Sequence, residues 1–175
     1  MNIFDKLLLA KEMSFTEGKI QVLGNRVVLP PANFFSEFAS RINDSPEMVD
    51  IVYQSAKVSF RDGIAKTIGK KYGFNINDFY RWLTDIATMA GWGILKWEEF
   101  DAESKKGVIF VEDSPVASDL KGKVKSPCDH VVCGFIAGGT SALFMEDMDV
   151  VETECLALGA PRCKFIAGPA KTIKR

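Results

Sequence analysis

The chain has 175 residues, of which 47% are hydrophobic and 26% charged, a composition typical of one folded domain. Its net charge of -1 comes from interspersed acids and bases and argues against a nucleic-acid partner, because phosphates need a basic surface. No run of about 18 apolar residues is present, so the sequence predicts no membrane span. We expect a cytoplasmic protein, whose thiols stay reduced.

The first half of the chain predicts one hairpin and three helices. KIQVLGNRVVLP predicts a hairpin that turns at Gly24-Asn25, with glycine at the first central position of a type II′ turn. Phenylalanines at helical spacing predict a helix over ANFFSEFASRI. Ser45 and Pro46 predict the start of a second helix, which the apolar spacing extends to about Lys71. INDFYRWLTDIATMAGW predicts a third helix.

The second half predicts strands around a glycine-rich helix. GILKWEEFD and KGVIFVED predict two strands, and SPVASDLKGKVKSP predicts a loop. CDHVVCGFIAGGTSALFMED predicts a helix, while DVVETECLAL and CKFIAG predict a final hairpin that turns through GAPR. Strands at both ends and in the middle, with helices between them, predict an α+β fold with a mainly antiparallel sheet. We expect residues 1–175 to form this single domain.

Two of the four cysteines lie eight positions apart in VVETECLALGAPRCKF. A redox pair usually has the pattern C-x-x-C, which is absent. A cysteine nucleophile needs a histidine base, and the one histidine, His130, does not share a helix face with nearby Cys128. A metal fits better, because a hairpin centred on Gly159 places Cys155 and Cys163 opposite each other, with Cβ atoms about 4.5–5.5 Å apart.

The spacing leaves the other ligands of this metal open. In a regular strand Glu152 and Glu154 point away from the face of Cys155, because side chains alternate between faces. Glu152 could join Cys155 on one ion only through a bulge or a strand end. His130 is the alternative ligand. Buried cysteines also serve as small hydrophobic residues, and we expect that role for Cys133.

The pattern Glu152-x2-Cys155-x3-Gly159-x3-Cys163-x-Phe165 resembles the C-terminal signature of the 4-vinyl reductase-type domain. CDHVVCGFIAGG is similar to the cysteine and the Gly-aromatic-x-x-Gly step of that family, and VLGNRVVLPP to its opening hairpin. The resemblance covers residues 18–167.

The resemblance implies a fold and a site. The family is related in fold to subunits of the TRAPP vesicle-tethering complexes, which implies a twisted antiparallel sheet with helices on one side, often in a dimer. In family members that sense phenols, the residues matching Cys128, Glu152, Cys155 and Cys163 hold a structural zinc beside a buried pocket. The resemblance therefore implies these four residues as ligands of Zn²⁺, a bulge near Glu152, and a zinc-stapled C-terminal hairpin.

The resemblance also implies what the protein does. We expect a zinc-containing homodimeric module that binds or senses a small apolar, aromatic or lipid-like molecule and acts through an effector protein on a separate chain. The alternative is a scaffold or assembly subunit, by analogy with TRAPP. Reduction of a tetrapyrrole vinyl group ranks last, because the chain has no dinucleotide fingerprint and a four-ligand zinc leaves no open position. The phenol sensors use a histidine upstream of the metal motif, which this chain lacks.

Three further features have structural explanations. Gly134-x3-Gly138 predicts close packing of its helix. Arg162 and Lys164 either offset the negative charge of the metal ligands or are ordinary exposed residues. The aromatic residues of the third helix and the following strand predict core packing in preference to a ligand pocket; they are Phe79, Tyr80, Trp82, Trp92 and Trp97.

Overall fold

The computed structural model describes residues 10–73 and 75–174, apart from the side chains of Asn77 and Tyr80. The first sheet is a three-stranded meander of β1 (Met13–Thr16), β2 (Lys19–Val22) and β3 (Asn25–Val27). The second sheet has four antiparallel strands in the order β4 (Ile94–Asp101), β5 (Lys106–Glu112), β7 (Cys163–Pro169) and β6 (Met148–Glu154). The predicted α+β class with antiparallel pairing is confirmed, but the strands form two sheets where one was expected.

The helices lie between and after these strands. They are α1 (Ala32–Ile42), α2 (Pro46–Phe60), α3 (Lys66–Tyr72), α4 (Ile76–Met89), α5 (Pro115–Asp119) and α6 (His130–Phe144). A π-helical segment, Arg61–Ala65, joins α2 to α3. Ser45 begins α2 as predicted, and its hydroxyl accepts a hydrogen bond from the Met48 N–H. No helix within the described residues combines the length and apolarity needed to cross a membrane.

Two local predictions differ from the structure. The first hairpin turns one residue earlier than predicted, at Leu23 and Gly24, which both have positive φ (50° and 74°), and Asn25 already pairs with Val22. Two positive φ values fit a type I′ turn, so the predicted type II′ turn is wrong. Helix α5 lies in the segment predicted to be a loop, where Ser114 accepts a hydrogen bond from the Ala117 N–H. This is the same Ser-Pro signal that begins α2.

Helix α6 packs between α2 on one side and strands β6 and β7 on the other. Its glycines allow the two helices to meet closely. A β-carbon on Gly134 would lie 2.5 Å from the Tyr53 carbonyl oxygen, and one on Gly138 would overlap the Lys57 carbonyl oxygen. The predicted close packing is confirmed, and it fixes the direction in which the N-terminal end of α6 points.

The described aromatic side chains pack mainly on one another. Trp92 lies 4.9 Å from Phe35 and 5.4 Å from Phe135 between ring centroids, and Trp82 stacks on Tyr72 at 4.9 Å. Phe79 is fully buried, and Trp97 contacts both clusters of buried residues. The prediction that these residues fill the core is confirmed for all except Tyr80, whose side chain lies outside the described part.

Candidate metal centre

Three structural elements bring the predicted metal ligands to one buried point. Cys128 lies two residues before α6, Glu152 lies in β6, Cys155 follows the end of β6, and Cys163 begins β7. The exposed fractions are 1%, 7%, 2% and 0% respectively, and none of the described cysteines forms a disulfide. We call Cys128, Glu152, Cys155 and Cys163 the thiol–carboxylate cluster.

A β-bulge turns Glu152 toward Cys155. The β6–β7 register runs from Glu152 opposite Phe165 directly to Glu154 opposite Lys164, so that Thr153 has no partner in the ladder. One extra residue moves the following side chains to the other face of the strand. The bulge implied by the family resemblance is therefore present.

The connection between the last two strands is longer than the tight turn that was predicted. Cys155 lies outside β6, and Leu156–Leu158 form a 3-10 helical turn that ends at Gly159, whose φ is 98°. The prediction that Cys155 and Cys163 are directly paired strand residues is wrong. The turn nevertheless directs both thiols inward, and its Leu156 N–H donates a hydrogen bond to Cys163 Sγ over 3.3 Å.

The distances in the cluster suit a single cation. The ligand atoms of Glu152, Cys155 and Cys163 all lie within 4.8 Å of one another. Cys128 is outside that group of three, but its Sγ lies 3.8 Å from Cys155 Sγ. Two sulfurs bound to one tetrahedral zinc, each at about 2.3 Å, are about 3.8 Å apart. Cys128 is thus at the right separation from Cys155 to share a metal with it.

Each of two neighbouring buried carboxylates has one oxygen that accepts a hydrogen bond and one without a hydrogen-bond partner among the described residues. Glu152 Oε2 accepts a hydrogen bond from the Asp129 N–H (2.9 Å), and Asp129 Oδ1 accepts one from Ser114 Oγ (3.0 Å). Glu152 Oε1 and Asp129 Oδ2 are buried without a hydrogen-bond partner among the described residues. Sequence reasoning missed Asp129, and its position beside Cys128 was the one signal that could have pointed to it.

The chain matches one known family over its C-terminal third. The model of the vinyl-4-reductase family domain, abbreviated V-4-R, covers residues 108–169, which contain every member of the thiol–carboxylate cluster. Residues 108–169 are therefore similar to a V-4-R domain. The resemblance to the 4-vinyl reductase-type domain is confirmed, although the matched segment is shorter than the range of residues 18–167 expected from the sequence.

Solved structures extend the likeness to most of the chain. The phenol-responsive sensory domain of the transcription activator PoxR with phenol is 21% identical, with a TM-score of 0.78 over 98% of this chain and 92% of that one. A vinyl-4-reductase family protein from Methanocaldococcus jannaschii is 20% identical, with a TM-score of 0.53 over 95% and 94%. A trafficking protein particle complex subunit 3 from Naegleria fowleri, covalently bound to palmitic acid, is 11% identical, with a TM-score of 0.53 over 82% and 95%. At these identities the likeness is one of fold, and it includes the predicted TRAPP-like fold. No curated protein matches the chain.

Burial together shifts the pKa values of the acidic groups in and beside the thiol–carboxylate cluster. Burial, reinforced by the charge of Asp129, raises the pKa of Glu152 to about 9. Burial raises the pKa of Asp129 to about 6. Hydrogen bonding to Cys155 and burial raise the pKa values of Cys128 and Cys163, while hydrogen bonds from those two thiols lower the pKa of Cys155. Without a cation, these groups cannot all be ionised together.

His130, the alternative ligand, is directed elsewhere. Its Nε2 lies 2.7 Å from Asn43 Oδ1, at the C-terminal end of α1. The Asn43 amide in turn donates to Ser126. His130 therefore links the first turn of α6 to α1, and the structure does not bring it into the thiol–carboxylate cluster.

Arg162 and Lys164 have partners outside the cluster. The Arg162 guanidinium lies 3.3 Å from the centroid of the Phe110 ring and 3.7 Å from Glu98. Lys164 Nζ lies 3.6 Å from Glu154. The sequence left two roles open for Arg162 and Lys164. These contacts favour the second role, in which both are ordinary residues on the surface of the sheet.

A small apolar cavity adjoins the cluster between α1, α2 and the start of α6. Its volume is about 10 Å³, and Cys128 and His130 lie in its wall. This volume is enough for about one water molecule. The apolar part of the wall includes Phe35, Phe38, Ile42, Val52 and Val116.

Proposed function

We propose that the protein is a metal-containing module that binds a small apolar molecule. The observation that carries this proposal is the convergence of three thiols and a carboxylate, each more than nine-tenths buried, from separate elements of the fold. Buried cysteines could pack without a metal, but a buried glutamate with an unpartnered oxygen costs free energy unless a cation meets it.

Cys128, Glu152, Cys155 and Cys163 would hold Zn²⁺ as a closed structural site. Three thiolates and one carboxylate are a donor set that zinc accepts, and a bound zinc would supply a cross-link between the β6–β7 hairpin and the start of α6. Two backbone N–H groups and the positive end of the α6 helix dipole would stabilise the negatively charged ligands. The Leu156 N–H points at Cys163, the Asp129 N–H points at Glu152, and the N-terminal end of α6 begins beside them.

A metal analysis of the full chain tests this centre. Native mass spectrometry and elemental analysis of protein purified without chelators should give one zinc per chain. The Cys163→Ser variant should lose that zinc, whereas Cys133→Ser, a substitution at a buried cysteine outside the cluster, should keep it. A wild-type chain without metal, with an intact fold, would refute the proposed centre.

The ligand part of the proposal rests on the cavity beside Cys128. Its wall is largely apolar, and it lies where α1 covers the start of α6. Two proteins of similar fold carry phenol and palmitic acid. Ligand sites usually have volumes of about 300–1,000 Å³, so a molecule of that kind would need α1 to move outward.

Thermal shift measurements with two probe classes test the ligand part separately. Alkylphenols and palmitate should raise the melting temperature of the wild-type chain, since a ligand that binds the native state stabilises it. Ala39 lies in the part of the cavity wall that α1 provides, so Ala39→Trp would fill the cavity and should abolish the shift in melting temperature. Ser40→Trp, on the exposed face of the same helix, is the control. The absence of a shift with both probes, with no organic mass on the native protein, would contradict ligand binding and leave the metal centre untouched.

We also propose that residues 1–175 act as one domain, as a homodimer in the cytoplasm, and signal through a protein on another chain. The contact of Trp97 with both core clusters supports a single domain. Free cysteines suit a reducing compartment. On α2, Met48, Ile51 and Val58 share one helix face and are 41%, 51% and 44% exposed, which is the kind of surface that a second copy would cover.

The same face favours the second candidate, a scaffold subunit. Light scattering separates the two. A dimer of the wild-type chain that Ile51→Asp converts to a monomer, while Phe15→Asp on strand β1 does not, would support the homodimer. A wild-type monomer would leave the α2 face free for a different protein and would favour the scaffold.

A further inference from the structure

We propose that Asp129 supplies a second carboxylate to the metal centre, through its Oδ2 atom. The proposal rests on the metal centre proposed above and adds a donor that neither the spacing of the cysteines nor the family resemblance indicated.

The orientation of Asp129 is the first observation. Asp129 occupies the N-cap position of α6, where an aspartate ordinarily bonds to N–H groups of the first helical turn. Its side chain makes no such bond. The carboxylate instead turns into the interior, where Oδ1 accepts the Ser114 hydroxyl at 3.0 Å.

The second observation is the unpartnered oxygen. Asp129 is 1% exposed, and its Oδ2 has no hydrogen-bond partner among the described residues. Asp129 follows Cys128 in the sequence, and its N–H donates to Glu152 Oε2 over 2.9 Å, so the residue adjoins two members of the thiol–carboxylate cluster. A fully buried carboxylate oxygen without a hydrogen-bond donor is satisfied when a cation binds it.

Asp129 and Glu152 form a matched pair. In each, a protein donor fixes one oxygen, and the other is buried without a hydrogen-bond partner among the described residues. Asp129 also holds Glu152 through its own backbone N–H, so the two carboxylates are positioned together. The N-terminal end of α6, a helix of 15 residues, provides positive potential for this excess of negative groups.

The consequence is a centre with three sulfur and two oxygen donors. A closed tetrahedral zinc uses four donors, and a fifth permits the five-coordinate geometry that zinc and cobalt also adopt. Substitution with Co²⁺ makes the difference visible, because a four-coordinate thiolate site absorbs visible light more strongly than a five-coordinate one.

The test is a Co²⁺ titration of the full chain in four forms: wild type, Asp129→Asn, Glu152→Gln and the control Asp119→Asn. Asp119 is exposed and bonds to Ser36, away from the cluster. Asparagine keeps the shape and the Ser114 bond of Asp129 but places an amide nitrogen at Oδ2, which cannot bind a cation. We expect Asp129→Asn to bind Co²⁺ about 10- to 100-fold more weakly and to absorb more strongly per bound ion, with Asp119→Asn unchanged.

The outcomes separate this proposal from the one that it rests on. If Asp129→Asn matches the wild type in affinity and spectrum while Glu152→Gln does not, the second carboxylate is refuted and the four-residue centre stands. If the wild type binds no Co²⁺, both fail. If Asp129→Asn does not fold, X-ray absorption of the zinc-loaded wild type decides: three sulfurs with two oxygens support the proposal, and three sulfurs with one oxygen overturn it.

Discussion

Helix α6 is held by different physical means at its N-terminal end and along its middle. Before its first turn, Cys128 and Asp129 enter a buried group of thiols and carboxylates, whose mutual repulsion a cation would relieve. Two turns later, Gly134 and Gly138 lie against the backbone of α2, where van der Waals contact is sufficient. With the proposed metal bound, we expect substitutions in the first region to change the response to metal and those in the second region to leave it unchanged.

The largest expected effect is that of Cys155→Ser. Structural zinc contributes on the order of 10 kcal/mol to the folding of small domains, which is comparable with the whole stability of a domain. We expect the variant to be unfolded, or to melt far below the wild type, and to gain nothing from added zinc in a thermal denaturation experiment.

Cys133→Ser is the matched control for this experiment. Cys133 is buried in α6 but is not a member of the thiol–carboxylate cluster. Introducing a hydroxyl there should cost about 1–3 kcal/mol and leave the response to zinc intact. Equal melting temperatures for Cys155→Ser and the wild type would rule out a structural metal.

Gly138→Ala tests the middle of α6. The new methyl group would overlap the Lys57 carbonyl oxygen, a backbone atom that cannot rotate away. We expect a loss of about 1–3 kcal/mol in the free energy of unfolding by urea, the same with and without zinc. Gly139→Ala places its methyl group 2.7 Å from the end of the Leu83 side chain, which can move, and should cost less. A larger loss for Gly139→Ala would mean that α2 and α6 are less rigidly packed than their backbone contacts indicate.

Local signals in the sequence are sufficient to predict most of the helices and strands. Ser45 with Pro46 marks the start of α2, and apolar spacing predicts the course of α1 and α2. The same Ser-Pro signal is present at Ser114, within the segment predicted to be a loop, but α5 has only five residues. A short helix contains few residues whose apolar spacing can be recognised, so periodicity predicts short helices poorly.

The arrangement of the proposed metal centre depends on information that residue spacing does not contain. Strand alternation alone places Glu152 on the wrong face, and the bulge at Thr153 that corrects it was implied only by the family resemblance. Asp129 was missed because an aspartate before a helix normally caps it. Its inward turn depends on Ser114 and Glu152, which are 15 and 23 residues away in sequence.

Tyr53→Phe should have a moderate effect on stability, because Tyr53 connects α2, the helix that packs on the middle of α6, to the strand that carries Glu152. The Tyr53 hydroxyl accepts the Val150 N–H at 3.0 Å and donates to Asp149 at 2.8 Å, and so links α2 to β6 two residues before Glu152. Its removal leaves a buried N–H unsatisfied, which should cost about 1–3 kcal/mol in urea unfolding. Tyr72→Phe, at a residue 46% exposed, should change the stability by less than about 0.5 kcal/mol. Similar losses in both variants would mean that the Val150 N–H finds another acceptor.

The smallest effect is a change of slope in the pH dependence of metal binding. Because burial raises the pKa of Glu152 to about 9, its carboxyl holds a proton at neutral pH when no cation is bound, and binding must displace that proton. Affinity should therefore rise with pH, and Glu152→Gln should remove about one proton from the slope of log affinity against pH. Competition with a chromogenic chelator measures the slope, with the exposed Glu154→Gln as control.

An unchanged slope in Glu152→Gln would show that Glu152 does not exchange a proton for the metal. The same measurement on Asp129→Asn then distinguishes the two carboxylates, because burial raises the pKa of Asp129 to only about 6. Asp129 is thus largely ionised at neutral pH, and its loss should weaken binding with little change of slope above that pH. A weaker affinity with a retained slope in Asp129→Asn, beside a reduced slope in Glu152→Gln, would establish that both carboxylates meet the cation but that one gives up a proton to do so.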